Sequence, residues 1–182
     1  MTEKEATVFI IDLGRSMGKT NNGRSESDLQ WSMRWVWDKL TTVVAASRKT
    51  LNVGVIGLRT DATKHLLRDE EGYENISLIS RLDPLTMDSL RTIQASIRPS
   101  SSATGDAVSA IVIGIEMIND FTKKLKYKRQ IYLVTDAEGP IDGDEIDEIA
   151  KKINESNIEL TILSVYRHHQ LGYADFLKWC GF

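Results

Sequence analysis

Thr7-Val8-Phe9-Ile10-Ile11 is a run of β-branched and aromatic side chains with no polar break, and it stops on Asp12. A strand wetted on one face alternates apolar and polar residues, so a continuous run of this kind buries both faces. That calls for a sheet covered by helices on both sides, the arrangement of parallel α/β folds. The carboxyl end of such a strand is also where open α/β sheets place their sites. Asp12, and Gly14 and Ser16 on the loop behind it, are therefore the first candidates for chemistry.

The rest of the chain repeats the pattern. Residues 51–59 (LNVGVIGLR), 130–135 (QIYLVT) and 158–165 (IELTILSV) read as further buried strands, and the second of these also ends on an aspartate, Asp136. Gly54 and Gly57 allow close packing onto the first of these. A helix is expected from a cap at Ser25 to Asp28 as far as about Lys49, with Leu29, Met33, Val36, Trp37, Leu40, Val43 and Val44 at the 3-and-4 spacing of one buried face. Shorter helices are expected over 86–97 and 144–155. A helix over 103–124 is apolar on nearly every side and so deeply buried, with Gly114 permitting close approach to the sheet. Residues 60–75 form a polar surface excursion, 76–80 a short edge strand, and Pro84 a break.

The expected fold is therefore α/β: a doubly wound, mostly parallel sheet with helices on both faces over residues 1–165. Residues 166–182 form a divergent tail without strand pattern, so the fold reads as truncated at its C-terminal end.

Acidic residues number 26 against 23 lysines and arginines, a net charge of −3, which excludes a whole-domain electrostatic grip on nucleic acid. The single cysteine, Cys180, allows no internal disulfide and fits a reducing compartment. The opening MTEKEA reads as no secretory signal, and no apolar run approaches the ~20 residues that span a bilayer. The matches Asn75-Ile76-Ser77 and Asn154-Glu155-Ser156 to the glycosylation signal are then chance. His168 and His169 lack a third ligand at zinc spacing, Cys180 being too remote.

Three readings of the aspartate-ended strands follow. A nucleotide site would use Gly14-Arg15-Ser16-Met17-Gly18-Lys19-Thr20 to cradle phosphates. The spacing is one residue short, Leu13 stands where the first glycine belongs, and Asn21-Asn22-Gly23 breaks the helix that should face the phosphates. An ATPase or helicase-type subunit is the weakest reading, and the chain is expected not to be an enzyme.

A metal-dependent site would use three loops in order: Asp12-Leu13-Gly14-Arg15-Ser16, then Ser100 to Ala107 containing Thr104-Gly105, then Thr135-Asp136-Ala137. This pattern resembles the metal-ion-dependent adhesion site of von Willebrand factor A-like domains, which implies a hard divalent cation held by hydroxyls and carboxylates. The sequence departs from that pattern at Gly14, where a serine is expected, and at Ala137, where a glycine is expected. Asp12, Ser16 and Asp136 remain as degenerate ligand positions. No cofactor is expected, magnesium being the one candidate.

A more specific resemblance covers residues 5 to about 163. Trp35 to Lys39, Ala46 to Thr50, Val53 to Asp61, Gly72 to Ile76 and Lys124 to Arg129 are similar to the amino-terminal A-like domain of the large subunit of Ku, in its fungal form. That resemblance implies a scaffold and protein-interaction domain in the nucleus, at chromosome ends and breaks. It implies a heterodimer with the smaller Ku subunit, contacts with repair and telomere proteins, and roles in non-homologous end joining and telomere maintenance. DNA ends would be held by parts of Ku outside these residues, and no membrane is involved. The alternative is a metal-dependent A-like adhesion domain.

Two further groups could form a partner surface. Trp31 and Trp35 lie one turn apart on the first helix, off its main buried face, and are either core or an anchor site. Lys123, Lys124, Lys126, Lys128 and Arg129 form the densest basic run, at a helix C-terminus where cations are favoured on electrostatic grounds alone. A phosphate contact or import signal is the other reading.

Overall fold

The computed structural model describes residues 4–20, 23–143 and 146–165. The tail over 166–182, with His168, His169 and Cys180, lies outside the described residues, as do Asn21 and Asn22. Five strands are described: β1 Glu5–Asp12, β2 Leu51–Leu58, β3 Ile76–Pro84, β4 Lys128–Thr135 and β5 Ile158–Ser164. The helices are α1 Asp28–Ala46, α2 Met87–Ser96, α3 Ala107–Thr122 and α4 Ile146–Glu155, with a 3-10 turn at Arg15–Gly18.

The strands form one sheet in the order β3-β2-β1-β4-β5. All neighbours are parallel except β2 and β3. The expected α/β, mostly parallel sheet with helices on both faces is what forms. The apolar run around Phe9 is the central strand, with ladder partners on both edges and helices on both faces. Period-2 alternation divides its side chains between two cores. Ala6, Val8 and Ile10 pack with α3 and α4, whereas Phe9 and Ile11 pack with α1 and α2.

Element ends differ from the sequence reading, and each difference has a local cause. Helix α1 begins at Asp28, capped by Ser27 rather than Ser25. The Ser27 hydroxyl accepts from the Gln30 amide at 3.2 Å while the Gln30 side chain accepts from the Ser27 amide at 3.0 Å, a reciprocal box that satisfies two end donors. Strand β3 is longer than expected and takes Pro84 as its last residue, tolerated because an edge strand spares one amide. Helix α3 starts at Ala107 rather than 103, because the Asp106 carboxylate caps it by accepting from the Ser109 amide at 2.6 Å. The other Asp106 oxygen accepts from the Asp142 amide at 2.8 Å, so the cap also ties down the loop behind β4. Residues 103–106 consequently stay as loop at the sheet's carboxyl edge.

Gly114 sits where α3 crosses the sheet. A Cβ there would lie 3.3 Å from Ile131 Cδ1 and 3.5 Å from Ile10 Cδ1, so the helix lies as close as its backbone allows. Gly54 does the same on β2, against Met117 and Leu82. Substituting Gly114→Leu is expected to cost about 2 kcal/mol or more through overpacking, measured as a lowered urea midpoint at unchanged m-value; unchanged stability would show that α3 can lift from the sheet freely.

Candidate functional site

Strand β1 leaves through α1 to β2 on one side of the sheet, while β4 flanks it on the other. The carboxyl end of β1 is thus a topological switch point, where adjacent connections diverge and leave a crevice. Three strand ends meet there. Asp12 closes β1, Arg59 follows the last residue of β2, and Asp136 follows the last residue of β4.

Arg59 joins them. Its Nε donates to Asp12 Oδ1 at 2.7 Å and its Nη2 to Asp12 Oδ2, a two-pronged pair. The same Nη2 donates to Asp136 Oδ1 at 2.7 Å. Arg59 is 2% exposed and both aspartates 1%, so the three charges are shut away from water. Asp12 also accepts from the Gly14 amide at 2.9 Å and the Thr135 hydroxyl at 2.7 Å. Asp136 Oδ1 accepts from the Glu138 amide at 3.0 Å. Burial pushes the Asp12 carboxyl up; Arg59 and Thr135 hold it back, and the neighbouring Asp136 adds to the rise. Burial alone would lower the Arg59 pKa, but the bond and charge of Asp12, with those of Asp136, more than offset it and raise it.

Three loops give Arg59 its room by carrying glycine against it. A Cβ at Gly14 would stand 2.5 Å from Arg59 Nε, and one at Gly139 3.1 Å from Arg59 Cδ. A Cβ at Gly105 would stand 3.1 Å from the Arg59 backbone, and Gly105 has a φ of +125° that only glycine takes easily. Arg59 itself adopts a φ of 55°, a left-handed conformation costing roughly 1–2 kcal/mol for a side-chain-bearing residue. The Ser100 hydroxyl meets the carbonyl so presented, donating to Arg59 O.

The sequence reading grouped Asp12, Ser16 and Asp136 as degenerate metal positions. The two aspartates do converge, but on Arg59, whose guanidinium bridges the carboxylates that would bind an ion. Ser16 is buried in the 3-10 turn; among the described residues its Oγ, and Asp136 Oδ2, have no hydrogen-bond partner. Thr104, the threonine of the central loop, donates to Asn75 Oδ1 at 2.8 Å instead of facing the carboxylates. Ser101 donates through amide and hydroxyl to Asp61 Oδ1, which lowers the pKa of that exposed carboxyl. With Arg59 in place, the residues present do not fit a divalent cation. Among the described residues, no group of three or more His, Cys, Asp or Glu could hold one.

Lys19, the lysine of the nucleotide reading, follows the 3-10 turn rather than opening a helix. Its Nζ lies 2.9 Å from Glu138 Oε2, and its amide donates to Ser16 O. The loop therefore presents no run of helix-start amides to phosphate. Ala137 takes a φ of 63°, in the place where the adhesion pattern has glycine.

Comparison with known proteins matches residues 6–179 to the Ku70/Ku80 N-terminal alpha/beta domain. The chain belongs to that family. It is 56% identical over 167 residues to a Neurospora crassa protein named ATP-dependent DNA helicase II subunit 2, covering 91% of this chain and 23% of that protein. A Schizosaccharomyces pombe protein of the same name is 34% identical over 179 residues, covering 98% of this chain and 26% of that protein. The chain thus spans about a quarter of the length of these relatives. Among solved structures, the SpRpn10 VWA domain superposes with a TM-score of 0.66 at 12% identity, covering 97% of this chain and 82% of that one, a likeness of fold alone.

In this Ku-family domain the two tryptophans part company. Trp35 packs edge-on to Tyr132, with ring centroids 5.2 Å apart, and lies near Phe9, so it belongs mainly to the core beneath α1. Trp31 is 41% exposed, with the Arg24 guanidinium 4.6 Å from its ring centroid. Together with Arg34 and residues 162–165 they line a groove of about 510 Å³ beside β5. The basic run also divides. Arg129 Nη1 donates to Ser156 O at 2.7 Å and Nη2 to Lys123 O at 3.1 Å, tying two turns together. Lys123 caps α3, Lys128 lies 3.9 Å from Glu159, and Lys124 and Lys126 are exposed beside them. The structure thus joins Asp12 to Asp136 but leaves Ser16, the tryptophans and the basic run as separate features.

Arg59 is the residue that sequence reasoning missed. Its signal was an arginine closing the buried run 51–59, a charged residue at the end of eight buried strand residues. Deleting its partner should be severe: Asp12→Ala is expected to cost roughly 3–5 kcal/mol, read by chemical denaturation, because it leaves a buried guanidinium under-neutralised. Ala137→Gly should gain about 1 kcal/mol by relieving a left-handed alanine, visible as a raised melting temperature; a loss would mean that the methyl group packs usefully.

Proposed function

We propose that the chain is the N-terminal scaffold and protein-interaction domain of a Ku large subunit. It acts in double-strand-break repair by non-homologous end joining and in telomere maintenance, in the nucleus and at chromosome ends. It works as a heterodimer with the smaller Ku subunit and meets repair and telomere proteins. The observation that carries this reading is the family match over nearly the whole chain, together with 56% identity to a subunit-2 protein that is about four times longer. DNA ends are held by parts of that longer protein, since this domain's surface is net acidic. The domain is not an enzyme by itself: Lys19 is engaged with Glu138, and Arg59 bridges the switch-point carboxylates.

Disrupting this coding sequence in its host should abolish most end joining of a linearised plasmid and shorten telomeres; normal values of both would refute the assignment. The purified chain should hydrolyse ATP no faster than buffer, with Lys19→Ala indistinguishable from it. Turnover lost in Lys19→Ala would restore the ATPase reading. Its DNA affinity should be weak, blind to sequence and steeply salt-dependent, and nanomolar end-specific binding by these residues would contradict the division of labour.

A further inference from the structure

Strands β2, β1 and β4 start side by side at the edge of the sheet opposite the Arg59 cluster, and the chain enters each of them through a basic segment. Lys4 precedes β1, Arg48 and Lys49 precede β2, and Lys123 to Tyr127 lead into β4, which opens with Lys128 and Arg129. Backbone bonds hold the three segments together: the Glu5 amide donates to Thr50 O and the Lys128 amide to Lys4 O, each at 2.8 Å. Arg129 is half-buried against the Lys123 and Ser156 carbonyls, whereas Lys4, Arg48, Lys49 and the four lysines of 123–128 are all exposed. Helix ends do not account for this charge. Helices α1 and α3 carry no basic residue in their last turns, and the attraction of a helix C-terminus for cations fades within that turn. Glu5 and, one turn back in α3, Asp120 offset only part of it. The whole chain carries a net charge of −3, so the remaining surface is strongly acidic.

We propose that this amino-terminal edge of the sheet is a docking surface for a short acidic protein segment that carries a large apolar side chain among its carboxylates. Charge complementarity selects an anion. Two observations select a peptide over the phosphates of a duplex. The first is apolar surface set among the cations. Leu125 is 57% exposed in the middle of the lysine run. Beside it the half-buried Tyr127 ring packs edge-on to Phe121 with centroids 5.7 Å apart, and Lys4 Nζ lies 5.7 Å from its centroid. An apolar anchor ringed by polar contacts is what a peptide side chain uses, and a phosphate backbone has no counterpart to it. The second is size. Strands lie about 4.8 Å apart, so β2 and β4 begin about 10 Å from each other, a width that three or four extended residues cross. Acids border it, with Asp83 opposite Val53 on the β3 side and Glu155 and Glu159 on the β5 side. One turn of duplex, about 34 Å long, would run over those carboxylates, whereas a short peptide stays between them. The inference rests on the reading of the chain as a protein-interaction domain and adds where that interaction lies and which chemistry it takes.

The test measures fluorescence anisotropy of three labelled probes with the purified chain at low salt. They are a short peptide of glutamates and aspartates with a central phenylalanine, the same peptide with glycine at its centre, and a blunt DNA duplex of about two turns. The phenylalanine peptide should bind saturably with a Kd of about 100 μM or tighter, about fivefold tighter than the glycine peptide and tighter than the duplex, and should weaken as salt screens the charges. Lys49→Glu/Lys124→Glu/Lys126→Glu should lose at least about tenfold in affinity at an unchanged melting temperature, since all three side chains are exposed. Arg15→Glu/Arg68→Glu/Arg91→Glu makes the same change in net charge at exposed positions away from this edge, and should lose no more than about twofold. Leu125→Ser should bring the phenylalanine peptide down to the affinity of the glycine one while leaving the latter unchanged. The proposal is overturned if neither peptide binds, if the two charge-reversed chains lose affinity equally, or if the duplex binds more tightly than the phenylalanine peptide through the same lysines, which would make the edge a nucleic-acid surface. Equal binding of both peptides to wild type and Leu125→Ser would also refute it, by removing the apolar anchor. End joining in the host is read separately, so the family reading and this docking surface can each fail without the other.

Discussion

Two carboxylates buried at neighbouring strand ends cannot both keep their charge without a cation between them, and the loop layer of this domain is built around that requirement. Taking an isolated carboxylate out of water costs several kcal/mol even after relaxation. Asp12 and Asp136 are both buried, and their nearest oxygens reach the same guanidinium nitrogen. Arg59 meets the requirement from within the chain. Its position after β2 is the third strand end at the same edge, so the sheet's own order delivers acid, base and acid side by side. The central loop then closes over the cluster, through Ser100 on the Arg59 carbonyl, the Ser100 amide on Leu13 O and the Arg15 amide on Ser102 O.

An internal arginine and a bound ion solve the same electrostatic problem with different consequences. An ion can leave, can be exchanged, and can lend an open coordination position to a partner's carboxylate. A tethered guanidinium does none of these. It directs its donors to Asp12 and Asp136 and holds the two carboxylates in one arrangement. A buried pair of this type is weak evidence for added stability, yet it fixes a geometry strongly. That matches a domain whose loops are held in one arrangement. Trp31, exposed on α1 beneath Arg24, and the lysines around the end of α3 lie away from that cluster, on opposite faces of the sheet.

Much of this was legible in residues alone. Continuous β-branched runs announced a sheet buried on both faces, and all but β3 of the strands were placed to within two residues. The burial of most of α3 and the close approach at Gly114 followed from apolar residues on nearly every side, with only Glu116 and Asp120 of the helix exposed. Caps were less legible: Ser25 and Ser27 are both plausible, and only Ser27 has glutamine three residues on to complete the box. The start of α3 was misplaced because Asp106 competes with the preceding Ser-Ala-Thr-Gly stretch, and the winner depends on whether its second oxygen finds Asp142. Trp35 and Arg129 were offered as surface candidates, and tertiary contacts drew both largely inward.

The sequence by itself determined the fold class, the order of elements, the carboxyl edge where Asp12 and Asp136 end their strands, and the two departures from the adhesion pattern at Gly14 and Ala137. Those properties depend on local pattern: the period of apolar residues, the punctuation by glycine and aspartate, and spacing along one loop. Only the tertiary structure decided what the aspartates do. Asp12 and Arg59 are 47 positions apart, and Arg59 and Asp136 are 77 apart. No local signal couples such residues, because their meeting depends on strand order and register. Asp12 stands opposite Leu58 in the ladder, which places Arg59 one step past it and over the end of β1. The strand that stops on Asp12 marks the site, and the neighbouring strand carries the cation that closes it.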